Sequence, residues 1–190
     1  MTFVGRRQEL RRLHAWLTDG RHVVVTGAFG SGRTALVRRF AMEARNALDV
    51  HFLPAGLSRR GLASALLPRL RGTQPQVAVV DDVIAMTRAR ATFMASLART
   101  HGFSWVVIAE RGIPRPDLLR LRTALAPAPV LRLGRLTDAM AGRLLQRLLS
   151  DRGVSWSPDD IRLTARSTHG VPLLLHHAAA AAVGERAEVR

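Results

Sequence analysis

Gly27-Ala28-Phe29-Gly30-Ser31-Gly32-Arg33-Thr34 is the stretch on which the reading of this chain turns. It follows a short Val-rich run, His22 to Thr26, that reads as a buried first strand. It opens a helical pattern from Thr34 to Leu48, with Leu36, Val37, Phe40 and Ala44 on the inward face. Glycines placed between a strand and a helix let the backbone take positive φ and turn its N–H groups inward, making an anion nest at a positive helix terminus. The spacing is that of the phosphate-binding Walker A loop, G-x-x-x-x-G-K-[ST], with an additional glycine at Gly30. Thr34 would supply its hydroxyl to Mg²⁺. One position departs: Arg33 stands where the pattern has Lys. A planar guanidinium does not fit the compact pocket of an ammonium. Either the loop is a degenerate nucleotide binder, or its pocket has adjusted to Arg. A cation is retained in both readings, and fast hydrolysis is the property placed in question.

Composition bears on the second reading, in which loss of lysine across the whole chain converted this site too. All 29 basic side chains are Arg, none is Lys, and the formal net charge is +15. Ala and Arg abundance without Lys reads as the codon bias of a GC-rich, actinobacterium-like genome. Selection against lysine to escape amine-directed tagging is the alternative. A basic surface attracts polyanions, so nucleic acid or an acidic partner domain joins plain solvated helix faces among its readings. No RNP, zinc-finger or KH signature sharpens that choice. Cysteine is absent, which removes disulfides, thiolate catalysis and Cys-ligated zinc. No apolar run reaches the roughly 18–20 residues of a membrane span, and the polar stretch from Met1 to Arg12 is no signal peptide. The expectation is a cytoplasmic protein without a membrane partner. Its 190 residues, 47% of them apolar, suffice for one core domain and a small appendage.

Outward from the loop, short β-rich runs alternate with helical stretches, the pattern of a parallel α/β sheet. Helices are expected at Gln8–Leu17, Leu57–Leu70, Met86–Thr100 and Asp117–Leu125. Strands are expected at Val50–Leu53, Val77–Asp81, Ser104–Ala109 and Val130–Leu133. Near Gly134 the alternation stops, and three helical segments follow: Thr137–Arg152, Pro158–Ser167 and Pro172–Val183. Each has a start signal, such as Ser157 before Pro158. The domain boundary therefore falls at Gly134, giving an α/β domain over 1–134 and a helical subdomain over 135–190.

Val77-Ala78-Val79-Val80-Asp81-Asp82 has the shape of a Walker B strand. Apolar residues bury the strand, and its carboxyl end points to where ligands gather in open α/β sheets. Asp81 would hold Mg²⁺, and Asp82 is placed to orient or deprotonate an attacking water. Alone, such a run is also the mark of a turn-capped strand. Beside the glycine loop it carries far more weight.

With those two boxes in place, the chain from Phe3 to about Val183 resembles the AAA+ superfamily, and within it the STAND group of signalling ATPases (NB-ARC and LuxR-regulator-like domains). Phe3-Val4-Gly5-Arg6-Arg7-Gln8-Glu9-Leu10 is similar to that group's opening F-V-G-R-x-x-E-L box. Val106 to Arg111 resembles the sensor-1 strand, with Arg111 as the arginine that reaches the terminal phosphate; Ala109 and Glu110 replace the usual hydroxyl residues. Leu136-Thr137-Asp138-Ala139 and Gly170-Val171-Pro172-Leu173 resemble the lid, whose Gly-x-Pro box packs over adenine and ribose.

The resemblance implies a five-stranded parallel P-loop NTPase sheet of order 5-1-4-3-2, with the loop-bearing strand central, and a C-terminal helical lid. It implies ATP or ADP with Mg²⁺ as cofactors. The nucleotide set is Phe3, Val4, Arg6, Gly27, Phe29, Gly30, Ser31, Gly32, Arg33, Thr34, Ala35 and Pro172; Thr34 and Asp81 hold the metal, and Asp82 and Arg111 are the catalytic pair. Three functions stay open: a slow ATP hydrolase, a switch that holds nucleotide with little turnover, and a basic nucleic-acid-loading ATPase of the initiator or transposition-helper type. A protein partner or self-oligomer is expected, the chain being either an excised module or a minimal stand-alone version. Two other readings of the C-terminal part are weaker. A helix-turn-helix over 158–183 would make a Leu- and Ala-rich segment the recognition helix, with few side chains suited to base edges. His176 and His177, adjacent on a helix, point about 100° apart and chelate one metal poorly.

Overall fold

The structure, a computed structural model, describes residues 3–54, 56–70 and 72–188; the last two residues of the expected lid lie outside it. In chain order the elements are α1 (Arg7–Thr18), β1 (Val23–Gly27), α2 (Arg33–Ala44), β2 (Asp49–Leu53), α3 (Arg59–Leu66), β3 (Gln76–Val83), α4 (Arg88–His101), β4 (Ser104–Glu110), α5 (Arg115–Ala124), β5 (Val130–Leu133), α6 (Asp138–Ser150), α7 (Pro158–Ser167) and α8 (Pro172–Glu188). They fall into two compact units.

The first unit, Arg7–Ala28 with Arg33–Leu133, holds the sheet. All neighbouring strands are parallel, in the order β2-β3-β4-β1-β5. This is the P-loop NTPase arrangement expected from the resemblance. The loop-bearing β1 is interior, but the middle place belongs to β4 rather than to β1. Strands of a parallel sheet covered on both faces must be apolar on both faces. Val23 to Val25, Val77 to Val80 and Trp105 to Ala109 are accordingly buried without alternation. Trp105 spans the core beneath α4: its indole N–H donates to the Met94 carbonyl at 2.9 Å, and its ring meets Phe103 edge-on.

Where elements differ from expectation, local chemistry decides. The helix expected through Leu70 stops at Leu66, and a single 3₁₀ turn covers Leu67–Arg69. Pro68 lacks the N–H an α-helix would need and crowds the carbonyl four residues back. The α2 helix ends at Ala44, whose carbonyl takes both the Ala47 and Leu48 N–H groups, so that Leu48 turns inward and is buried. Strand β3 outruns its expected end at Asp81 because a bulge between Val80 and Val83 lets pairing resume beyond the two aspartates.

The second unit gathers Met1–Arg6, Phe29–Gly32 and Gly134–Arg190. Helix α6 buries Leu144, Leu145, Leu148 and Leu149, a stripe at helical spacing, against Leu175, Ala179 and Ala182 of α8. Thr137 and Ser157 cap α6 and α7 by accepting the N–H of Met140 and of Asp160. Helix α8 runs to Glu188, past the expected Val183, carried by its alanines. Its apolar stripe is core, which removes that face from any recognition helix. Among the described residues no helix is long and apolar enough to cross a membrane.

Candidate functional site

Parallel pairing brings the carboxyl ends of β1, β3 and β4 to one edge of the sheet. Gly27 lies beside Glu110 and Val83 beside Ala109, so the loop's first residue, the two aspartates and the end of β4 share that edge. Along the loop, Gly30 and Gly32 take φ of 73° and 87°, values that cost an L side chain dearly. Helix α2 begins directly afterwards at Arg33, with Thr34 and Ala35 half-buried in its first turn. Both glycines thus adopt the positive φ that the loop pattern asks of them.

Within the sheet unit, Arg33 folds back beneath its own loop. Its Nη1 donates to the carbonyls of Gly27 at 2.9 Å and Ala109 at 2.8 Å, and its Nη2 stands 3.6 Å from the Glu110 carboxylate. The Gly27 carbonyl accepts a second bond, from the Arg111 N–H at 3.0 Å. Arg111 is thereby anchored through its backbone while its side chain is exposed. On β3 the bulge puts Asp82 in the left-handed region, φ 58°, with its side chain exposed. Bulges re-aim side chains at functional edges, and Asp is among the residues that tolerate this conformation. The Asp82 N–H donates to Oδ1 of Asp81 at 2.8 Å, which orients the Asp81 carboxylate.

The other expected residues lie in the helical unit. Ser31 is buried, and among the described residues its hydroxyl has no hydrogen-bond partner. Phe29 is 75% exposed. The Gly30 carbonyl accepts the Leu173 N–H at 3.2 Å, and a Cβ on Gly30 would come within 2.8 Å of the Leu173 Cβ. Pro172 is half-buried and lies near Gly32. The first turn of α8 is therefore seated on the loop's glycines. Val4 packs against the helical core, Phe3 is half-buried, and Arg6 is buried with its guanidinium donating to the Gly134 carbonyl. Arg6 takes φ 63° next to Gly5 at 76°, so the opening box begins with a sharp bend, and its residues from Arg7 onward start α1.

A family model described as an AAA ATPase domain matches residues 2–154 of the chain. The chain belongs to this family. No curated protein matches its sequence. Among solved structures, the RuvB Holliday junction branch migration motor of Thermotoga maritima superposes with a TM-score of 0.72 at 18% identity, over 93% of this chain and 61% of that one. The Orc1 protein of Aeropyrum pernix, solved in complex with DNA, gives 0.70 at 18% identity over 97% and 61%. A Walker-type ATPase of Pyrococcus abyssi gives 0.63 at 10% over 91% and 66%. At such identities the likeness is one of fold, and the chain spans about three fifths of the first two relatives.

AAA ATPase domains bind nucleotide with Mg²⁺, and the residues here suit that pair. The unpartnered Ser31 hydroxyl is a buried polar group lacking the partner such groups normally find. Among the described residues no three His, Asp or Glu side chains gather as a metal cage. Mg²⁺ does not require one: it is commonly held by one or two protein oxygens together with substrate phosphates and water. Thr34 and Asp81 are of the right kind. His176, half-buried, has its pKa lowered by burial, then by the charge of Arg152 and by His177. A cavity does open at the opposite, amino-terminal edge of the sheet, lined by His22, Gln76, Arg99 and Ser104. Ligands of open parallel sheets gather at the other edge. Sequence reasoning treated Glu110 only as a lost hydroxyl; the structure makes it the acidic partner of Arg33. The signal was two departures of opposite charge, one in the loop and one in the strand that resembles sensor-1.

Proposed function

We propose that this AAA ATPase domain is a nucleotide-dependent switch that binds ATP or ADP with Mg²⁺ at the Gly27–Ala35 loop and turns over slowly. One observation carries the reading: two glycines at positive φ lead into α2 with the Ser31 hydroxyl buried and unmatched. Backbone N–H groups at a helix start, with an orphan hydroxyl among them, suit a phosphate chain. Thr34 and Asp81 would hold Mg²⁺, which shields phosphate charge when bound. Asp82 would orient water, and Arg111 would sense the terminal phosphate. Slow turnover follows from Arg33, whose donors are engaged by carbonyls and a carboxylate rather than held ready for a transferring phosphoryl group. The STAND subgroup is supported by the Phe3–Leu10 box and by the Pro172 turn seated on the loop glycines. On this reading residues 1–134 bind the nucleotide and the helical segment from 135 reports its state. Phosphate release measured beside nucleotide affinity tests the proposal, with Asp82→Asn as the control because Asn also accepts left-handed backbone. Tight binding with slow, Asp82-dependent release is expected. Rapid release that survives the substitution overturns the switch.

A second reading, a nucleic-acid-loading ATPase, is supported by the net charge of +15 and by the likeness to RuvB and to Orc1 in complex with DNA. It requires duplex DNA binding that weakens steeply between roughly 50 and 200 mM salt, as counterion release demands. Binding indifferent to salt, or none, removes it.

A further inference from the structure

Arg33, the departure from the phosphate-loop pattern, and Glu110, a departure in the strand that resembles sensor-1, lie against each other. Glu110 is the β4 residue directly beside Gly27, where the loop begins. Its carboxylate stands 3.6 Å from Nη2 of Arg33, while Nη1 of the same guanidinium donates to the Gly27 and Ala109 carbonyls. A guanidinium carries five N–H donors in a rigid fork, so one nitrogen can serve two carbonyls while another faces a carboxylate; a compact ammonium, with three donors on one atom, is not built for this. The Arg33 side chain is only 10% exposed, whereas Glu110 is 36% exposed and reaches the surface at the loop's base. The cation that would answer the charge of a phosphate chain is therefore already matched, and a fixed negative charge stands beside it.

Resting on the nucleotide reading above, we infer that Glu110 decides which phosphate chain the loop accepts, and tunes the site to nucleoside diphosphates. ADP and ATP share base, ribose and two phosphates and differ by one charged group. An unmatched Arg33 would favour the ligand with more negative charge. Matched by Glu110, it loses that preference, and the carboxylate opposes the third phosphate. Specificity of this kind is a difference of two affinities produced by a repulsive element. Thr26, whose Oγ1 lies 3.5 Å from the Glu110 carbonyl, helps hold the end of β4 in place.

Calorimetric titration of the full chain with ADP and with ATP, both with Mg²⁺, tests this on the native protein, Glu110→Gln and Glu110→Asp. The native chain is expected to bind ADP more tightly. Glu110→Gln is expected to raise ATP affinity relative to ADP by about tenfold, or 1.4 kcal/mol. Glu110→Asp, which keeps the charge, is expected to hold the native preference. Should Glu110→Gln fail to fold, Glu110→Thr is read in its place. A native chain that binds neither nucleotide while the neutral variant binds ATP overturns the tuning to nucleoside diphosphates. An ATP-to-ADP ratio unchanged by removal of the charge overturns it and leaves the nucleotide reading standing. Failure of every form to bind either nucleotide overturns both.

Discussion

Arg33 donates to the backbone carbonyl of Ala109 at 2.8 Å, so the first residue of the helix after the loop ties down the end of a strand 76 positions further along the chain. The same nitrogen holds Gly27. Hydrogen bonds from a charged donor are worth about 1.5–3 kcal/mol each. Arg33→Met, which keeps much of the stem and removes the donors, should destabilise the fold by about 2–4 kcal/mol once lost bonds and the unmatched Glu110 are counted together. Urea unfolding measures this. A change under about 0.5 kcal/mol, the range of an ordinary surface substitution, would show that the strut is idle.

Gly170 is the tightest backbone approach in the helical unit. Its carbonyl accepts the Leu136 N–H at 2.9 Å, its φ is +65°, and an added Cβ would run into the Leu136 backbone. Because the obstacle is main chain, no rotamer change relieves it. Gly170→Ala should cost more than about 2 kcal/mol in thermal or urea unfolding. Gly153→Ala, also at positive φ but with open space around it, should cost only the conformational penalty of about 1 kcal/mol.

Ser31 separates the roles of folding and binding. Its buried hydroxyl has no partner among the described residues, so the ligand-free protein gains nothing from it. Ser31→Ala should leave unfolding free energy unchanged or raise it by about 0.5–1 kcal/mol. The same substitution should weaken nucleotide binding severalfold, by about 1 kcal/mol. A destabilised ligand-free variant with native affinity would reverse the assignment.

His22 predicts the response to acid. Its Nδ1 accepts the Trp105 N–H at 2.9 Å, which requires that nitrogen to be unprotonated, and burial lowers its pKa below the usual 6.5. The unfolded chain then takes up the proton first, so stability falls as pH drops through about 6.5 and levels off below the folded value. His176 acts in the same direction. Each histidine contributes a slope of at most about 1.4 kcal/mol per pH unit. His22→Asn, an acceptor that does not titrate, should flatten the curve of unfolding free energy between pH 7 and 5; an unaltered slope would exclude His22 as a source.

The strands and the loop were legible because both are written in short-range signals: continuous Val and Ile runs for buried parallel strands, and glycines between strand and helix; the order of the strands came from the family resemblance alone. The bulge at Asp81 and Asp82 was not legible, since two acids after an apolar run read as a strand's end until pairing with β4 resumes at Val83. The shortened α3 was available in principle from Pro68. The Arg33–Glu110 pair joins residues far apart in sequence, and only the parallel register of β1 with β4 brings them together. The hydrogen bond from Arg6 to the Gly134 carbonyl likewise joins residues far apart in sequence and is not written in the opening box.

The most direct measurement is a calorimetric titration of ADP and ATP, with and without Mg²⁺, into the native protein and Arg33→Ala. Binding by the native chain is expected, with affinity at least about tenfold weaker, or 1.4 kcal/mol, once Arg33 is removed. Equal affinity in the two proteins, or no binding by the native chain, would contradict the account.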